Sequence, residues 1–599
     1  LAYTRADLAE DETPEIQIFP VAQTISPGEV KAQPLLPSFL LLLGPHDVPE
    51  GGLALPWDTN VDWTVGEYAR SRGAELPTRL VASAKSWLSH RGIDRTGPIL
   101  PWDAPADARR VSPVEATMRY LEHIRNAWNN AMATDDPAAR LEDQEIYLTV
   151  PASFDAVARE LTVQAAQSAG LDNFTLLEEP QAAFYAWIEA QGDEWRKAIG
   201  VGESILVCDV GGGTTDLSLI QVVEAEGNLE LQRVAVGDHI LLGGDNMDLT
   251  LAYAVRAKLA QKNVRLDNWQ FRSLAQSCRK AKERLLSNPD LEAEPIVILG
   301  RGSSLIGGTI RTELTRSEIE TILVQGFFPE VAATDYPQRK PQVGLREMGL
   351  PYESDPAISR HLAYFLSRHI ANGENDSTVA YPSAVLFNGG VMKAISLRQQ
   401  VIDLLRQWQP ANPVRELPAV DLDLAVALGA AYYGLARKGR GIRIRAGTSR
   451  AYYIGVESSM PAVPGIPTPV NALCVVPFGM EEGTEAEIRE QGFGLVVGEQ
   501  AVFSLLASTT RKSDPVGEIM EDWGGDLEEV TQMETMLPAT AGEGGTIIPV
   551  WLRSRVTEIG TLELWCVARD DDRTWKLEFN IREQQSSLVD DAEQYAFPG

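Results

Sequence analysis

Between Ile205 and Ile220 the chain reads ILVCDVGGGTTDLSLI. An apolar run ends in Asp209, the glycines Gly211, Gly212 and Gly213 make a tight turn, and Thr214, Thr215 and Asp216 open a second apolar run. The pattern predicts a β-hairpin whose tip is all backbone. Glycines let an anion approach with no Cβ in the way, and successive N–H groups at such a tip form a phosphate nest. Asp209, at the strand end, is placed to hold Mg2+ through waters, as hard cations near phosphates usually are. The alternative is an ordinary glycine-rich hairpin. No Gly-x-x-x-x-Gly-Lys-Ser/Thr string occurs, so the loop is not of the Walker type.

Four further segments bear on the same chemistry. Leu148–Ala186 reads strand, turn, amphipathic helix, strand, turn, helix, and contains VPASF and LLEEPQAA. Glu179 precedes Pro180 and is expected to be extended, with Pro180 at the first helical position. Its carboxylate could position a water or a hydrated metal, or simply offset the helix dipole. In GDHILLGGDNMD, Gly243 and Gly244 precede Asp245 and a helix, a candidate anion site at a helix N-terminus. FNGGVM places Gly389 and Gly390 after another strand, and DLDLAVALGAAYYG carries small residues suited to close helix packing, a structural role.

These segments need a scaffold, and the periodicity supplies one. To about Leu435, strand-type and helix-type runs alternate, as in a layered α/β domain. Helices are expected at Pro113–Ala133, Ala156–Ala169, Met247–Gln261, Asp267–Leu286 and Ile358–His369, and strands at Glu145–Val150, Ile205–Cys208, Asp216–Val222 and Ala384–Phe387. A turn is expected at Ala9–Pro14, and residues 324–380, rich in Pro and charge, read as an elaborated insertion. Around Ala436–Gly447 the composition turns basic and Gly-rich, which marks a domain boundary. Beyond it, strand-like runs at Ala451–Val456, Leu473–Pro477, Gly494–Val497, Ala501–Leu506, Thr546–Leu552, Gly560–Val567 and Thr574–Ile581 predict an all-β sandwich.

The chain has 599 residues, enough for several domains and a sizeable core. Its 53 Lys+Arg against 84 Asp+Glu give a net charge of −31, which opposes binding to nucleic acid or to an anionic membrane. The four cysteines form no C-x-x-C pair and read as buried reduced thiols. The longest apolar stretch, PSFLLLLG, is too short to span a bilayer, and no signal peptide opens the chain. A cytoplasmic protein is expected.

In this order and setting, the five segments resemble the nucleotide-binding domain of the 70-kilodalton heat-shock chaperone (DnaK-like) family, within the larger actin and sugar-kinase group. The resemblance covers roughly residues 1–435. It implies an α/β, actin-like (ribonuclease H-like), two-lobed ATPase domain at 1–436. A β-sandwich binding domain at 448–583 and a tail at 584–599 would follow. It also implies ATP/ADP with Mg2+, slow hydrolysis, and a nucleotide-driven cycle of binding protein or peptide clients. Residue by residue, Asp209 matches the metal-water aspartate, Thr214 the threonine beside the γ-phosphate, and Glu179 the glutamate that organises metal and water. Gly211, Gly212, Gly213, Gly243, Gly244, Gly389 and Gly390 match backbone contacts to phosphates and nucleoside, with Thr215 and Asp245 beside them. Lys282, in CRKAKERLL, matches a lysine of the adenosine-binding helix, and Lys393 stands where an arginine often stacks on adenine.

The family's catalytic lysine, in a Gly-acid-x-Ala-Lys string, is matched by Arg70 in GEYAR, a swap that is not neutral at a phosphate. The family's apolar linker is replaced by ARKGRGIRIR, which is expected to stay solvated. No long helical lid follows the β domain, and the first phosphate loop should lie just before Leu1, so the chain reads as clipped and impaired in hydrolysis. The leading expectation is a divergent, lidless chaperone-type ATPase. The alternative is an ATP-sensing scaffold with little turnover, bound through its β domain to a dedicated partner protein. A small-molecule kinase is a third reading, with no assignable substrate-side base.

Overall fold

The computed structural model describes residues 1–6, 14–44, 46–90, 92–102, 104–225, 228–288, 290–298, 309–338, 349–370, 379–418, 420–438, 444–445, 448, 450–459, 468–481, 483–539, 545–557 and 561–577. The expected turn at 9–14, residues 339–348 and 371–378 of the 324–380 insertion, most of the basic stretch, the end of the last strand and the tail lie wholly or largely outside them.

A six-stranded mixed sheet organises the first part. Its order is Arg415–Glu416, Ala384–Asn388, Ser204–Val210, Thr215–Ala225, Asn228–Val236 and Ile444–Arg445. Ser204–Val210 and Thr215–Ala225 form the expected hairpin, in register from Ser204 opposite Gln221 to Val210 opposite Thr215. Ala384–Asn388 runs parallel to Ser204–Val210 and sets Asn388 opposite Asp209. All seven residues of Ser204–Val210 are buried, as a central strand covered on both faces requires. A separate parallel pair, Ile146–Val150 and Phe174–Glu178, is joined through the helix Ala156–Ser168.

Helix starts follow their caps. Ser112 Oγ accepts from Glu115 N–H ahead of Pro113–Met132, and Asp155 accepts from Ala158 N–H ahead of Ala156–Ser168. Asp267 and Gln270 exchange bonds at the start of Asn268–Ser287, a reciprocal cap. The small-residue helix Ala425–Arg437 crosses Glu179–Gln191 so closely that a Cβ at Gly429 would run into the Ala182 carbonyl. That is the structural role its composition predicted.

Two antiparallel sheets occupy the region after residue 450. One has five strands in the order Ile519–Met520, Val470–Val476, Ala451–Glu457, Gln500–Ser508, Glu528–Met536. The other has four, in the order Glu485–Val497, Thr546–Val556, Leu562–Ala568, Thr574–Leu577. Leu473, Val475 and Leu505 of the first meet Val550, Leu552 and Leu564 of the second in one apolar cluster. Glu528–Met536 was not expected, because Glu528, Glu529 and Glu534 break its apolar pattern, although Val530 is buried. The first half of Glu485–Val497 escaped notice for the same reason.

The basic stretch departs from expectation. Residues 444 and 445 do not stay solvated as free linker. Their backbone pairs in parallel with Leu231 and Gln232 and forms the edge of the six-stranded sheet. Backbone hydrogen bonding needs no apolar side chain, so a basic sequence can still add a strand.

Candidate functional site

At the hairpin tip, Gly211 N–H donates to the Thr214 carbonyl at 2.9 Å. The amides of Gly212, Gly213 and Thr214 have no backbone partner among the described residues. A Cβ at Gly212 would lie 3.8 Å from Asp245 Oδ1, whereas one at Gly213 would come within 2.6 Å of Ser86 Oγ. The tip is open at Gly212 and tightly packed at Gly213.

Gly243 and Gly244 serve this hairpin rather than a separate anion site. Gly244 N–H donates to the Gly211 carbonyl at 3.0 Å and Asp245 N–H to the Gly212 carbonyl at 2.6 Å. The first amides of the helix Gly244–Gln261 are therefore already used. A Cβ at Gly243 would meet the Gly211 oxygen at 2.7 Å, so glycine is required by backbone contact. Gly389 is similar: its φ is +85°, and a Cβ there would lie 2.6 Å from Asp209 Oδ1, whereas Gly390 faces open space.

Three buried or half-buried carboxylates converge beneath the tip. Asp209 accepts from Asn388 Nδ2 at 2.7 Å. Burial, then the negative charges of Glu179 and Asp216, push its pKa up to about 7, against the pull of Asn388 and Lys85. Asp216 is also raised, chiefly by burial, and accepts from Ser153 Oγ. Lys85, on the short helix Ala84–Leu88, is ion-paired with Glu179. Desolvation opposes its charge, but Glu179 first, then Asp216 and Asp209, hold its pKa above the ordinary lysine value. Ser83, just before it, sits at φ 56° and donates to Asp245 Oδ2 at 2.6 Å. A left-handed serine is a costly conformation, and this one fixes where the lysine-bearing turn begins.

Arg70 is elsewhere. It lies on the helix Glu67–Gly73, bonded to Glu67 at 2.7 Å and 3.8 Å from Glu283. The lysine facing the carboxylates is Lys85, in VASAKSWL. The Ala-Lys pair was the available signal, and GEYAR was a nearby decoy. Asp216 was missed as a site residue although it closes the same string as Asp209.

Other expected residues are engaged structurally. Thr215 is fully buried, with its hydroxyl on the Leu242 carbonyl at 2.7 Å and its amide on Ile240 at 3.0 Å. It points away from the tip because neighbouring residues in a strand face opposite ways. Thr214 instead bonds to Asp216. Asp245 accepts from Arg279, and Lys282 is buried against Asp248 at 2.6 Å and the Gly244 carbonyl at 3.2 Å. Lys393 pairs with Asp423. Glu179 is not extended. Glu178 is the extended cap, Glu179 opens the helix and Pro180 takes the next position, still within the first turn, where a missing N–H costs nothing.

The donor set suits a hydrated divalent ion better than a directly caged one. No group of three or more His, Cys, Asp or Glu among the described residues is arranged to hold a metal. Yet the carboxylates outnumber Lys85, and Asn388 Oδ1 is buried with no hydrogen-bond partner among the described residues, an acceptor suited to a metal-bound water. No described helix is long and apolar enough to cross a membrane.

Comparison with known proteins bears on residues that hold this site. The family model described as Hsp70 protein matches residues 64–333. The chaperone protein HscA of Klebsiella pneumoniae is 32% identical over 267 residues, 43% of this chain and 39% of that protein. An HscA homolog of Pseudoalteromonas atlantica is 32% identical over 236 residues, 37% of this chain and 35% of that protein. The chaperone protein DnaK of Stenotrophomonas maltophilia is 26% identical over 225 residues, 37% of this chain and 33% of that protein. The matches thus span between a third and two-fifths of each relative's length.

Proposed function

We propose that the chain, whose residues 64–333 match the Hsp70 family model, is a DnaK-like chaperone that binds Mg2+-ATP, hydrolyses it slowly, and thereby regulates its hold on protein clients. The nucleotide belongs to an actin-like, two-lobed domain ending near residue 436, and the client or partner to the β-sandwich from 448. The observation that carries the reading is the convergence of Lys85, Glu179, Asp209 and Asp216 beneath an open glycine tip.

In that site the amides of Gly212, Gly213 and Thr214 bind the phosphates. Asp209 and Glu179 would hold the waters of a bound Mg2+, which would supply positive charge beside the phosphoryl oxygens. Lys85 supplies a compact positive charge beside the γ-phosphate. Gly390, in open space after Asn388, supports the nucleoside end. Lys85 in place of Arg70 beside the carboxylates supports turnover over the scaffold alternative.

Calorimetry with Mg2+-ATP on the full-length protein, followed by single-turnover hydrolysis, tests this. Binding is expected, and Asp209→Asn and Glu179→Ala are expected to slow hydrolysis more than they weaken binding. If neither variant hydrolyses more slowly than the parent, the assignment fails. If ATP does not bind, the whole reading fails.

A further inference from the structure

The four-stranded sheet of the β-sandwich has an outer face built from tryptophans and cations. Val550, Leu552 and Leu564 belong to the apolar cluster between the two sheets, so Trp551, Arg553 and Trp565 point the other way. Arg553 lies opposite Trp565 in the register, and Trp565 opposite Lys576. The Arg553 guanidinium sits 5.1 Å from the centroid of the Trp565 ring, and the Lys576 ammonium 5.9 Å from the same ring. Trp551 carries two more cations, Arg489 at 5.1 Å and Arg569 at 5.6 Å. Arg489 belongs to the bulge between Ile488 and Phe493 in the strand Glu485–Val497.

This concentration of positive charge runs against the composition around it. Residues 448–577 hold 9 Lys and Arg against 21 Asp and Glu. Five of those nine, Arg489, Arg553, Arg555, Arg569 and Lys576, lie on this one face. Lys576 is paired with Glu563, and Arg489 with Glu487. Arg553 and Arg569 have no carboxylate partner among the described residues, and their printed side-chain contacts are with the rings. A ring contact uses up none of the guanidinium N–H donors, and a carboxylate can take two of them side by side. The screening length at physiological ionic strength is about 8 Å, so the local pattern and not the net charge of the chain governs what the face attracts.

We propose that this face docks an acidic segment of a partner protein, which sets a carboxylate against each of Arg553 and Arg569 and an apolar side chain between them. The inference rests on the reading of the β-sandwich as the partner-binding domain, and it names the partner's chemistry. Trp551 and Val567, opposite each other in the register, supply the apolar middle, and Ile547, 69% exposed, extends it. A nucleic acid fits this pattern poorly. Glu485, Glu487 and Glu563 stand among the cations, and Asp570, Asp571 and Asp572 follow Arg569 at one end. Those carboxylates oppose a continuous run of phosphates, whereas a protein segment can place its charges singly.

The test uses the full-length protein and two fluorescein-labelled peptides of equal length, one alternating Glu with Leu and the other Gln with Leu, read by fluorescence anisotropy. The Glu peptide is expected to bind about tenfold or more tightly than the Gln peptide, and to weaken as salt is raised. Arg553→Ala/Arg569→Ala should weaken it about tenfold or more, the scale of one lost charge-assisted contact. Arg569 is exposed, so Arg569→Ala alone should keep the parent's thermal midpoint and still weaken binding about threefold or more. That variant keeps the test decisive if the double variant folds poorly. Equal affinity for the two peptides overturns the inference, and so does parental Glu-peptide affinity in folded Arg569→Ala. An oligouridylate of the same charge that binds more tightly than the Glu peptide assigns the face to nucleic acid and also overturns it. Binding of the Gln peptide alone defeats this inference and leaves the β-sandwich reading standing. Binding of neither peptide defeats both.

Discussion

The Lys85 ammonium is paired with the Glu179 carboxylate, 94 residues further along the chain. The pair joins the turn that begins at left-handed Ser83 to the helix that begins at Glu179. Both ends are fixed by backbone, so the charges meet without a long search by either side chain.

Lys85→Ala should therefore remove the positive charge from the cluster and slow ATP hydrolysis about a hundredfold, the scale seen when one electrostatic stabiliser is lost. Arg70→Ala should change hydrolysis by less than about threefold, since Arg70 serves Glu67 and Glu283. Lys85→Arg should not rescue, because a guanidinium is larger and more weakly hydrated than an ammonium. Single-turnover rates on the three variants decide it. A larger loss from Arg70→Ala than from Lys85→Ala would reverse the assignment.

Gly212→Val should fold and fail to bind ATP. Its Cβ meets nothing closer than Asp245 Oδ1 at 3.8 Å, so the protein tolerates the side chain that the phosphates would not. Gly213→Val should instead lose stability, by about 1–3 kcal/mol for an overpacked site, because Ser86 Oγ lies 2.6 Å from the added carbon. Thermal melts separate the two, and calorimetry on Gly212→Val should show affinity reduced at least tenfold.

The contrast between these glycines shows where sequence reading stopped. A strand, a glycine tip and a second strand were legible because alternation and turn chemistry are local. That Gly243 would press on the Gly211 carbonyl was not, since the contact depends on two segments folding together. Thr214 and Thr215 look interchangeable as letters, and only the hairpin register turns one toward Asp216 and the other into the core. Lys85 was hidden because its turn starts with a left-handed serine where a glycine would have advertised the bend. The strand Glu528–Met536 was hidden by its exposed Glu528 and Glu529.

Acidification should destabilise the protein between about pH 6.5 and pH 4 through two histidines held neutral. His123, bonded to the Ala22 carbonyl at 2.9 Å, is pushed down to about 4 by burial. His369 is pushed down to about 3 by burial and by the charges of Lys512 and Arg368. Below the ordinary histidine value the unfolded chain binds protons that the folded chain refuses, so stability rises with pH across this window and is lost as pH falls. Denaturant midpoints measured from pH 7 to pH 4 should drop, and His123→Gln or His369→Gln should flatten the slope. An unchanged slope in both variants would count against the assignment.

Glu178 should be among the residues that hold the site's scaffold together. It ends the strand Phe174–Glu178, immediately before Glu179, and receives Arg159 at 2.7 Å from the helix Ala156–Ser168. Arg233, from the strand Asn228–Val236 of the six-stranded sheet, reaches its other oxygen. The three side chains are 9%, 10% and 4% exposed. Glu178→Ala leaves two buried guanidinium groups facing each other without their shared carboxylate, and breaking a buried pair this way costs about 3–5 kcal/mol. Replacing all three residues with apolar ones of similar size should cost much less, because the desolvation penalty goes with the charges. Urea denaturation of Glu178→Ala and of the triple variant makes the comparison. The single variant should be the less stable of the two, and its ATP hydrolysis should fall with it, because the displaced strand end carries Glu179 away from Lys85. Equal stability in the two proteins would mean that the triad contributes shape and not charge pairing.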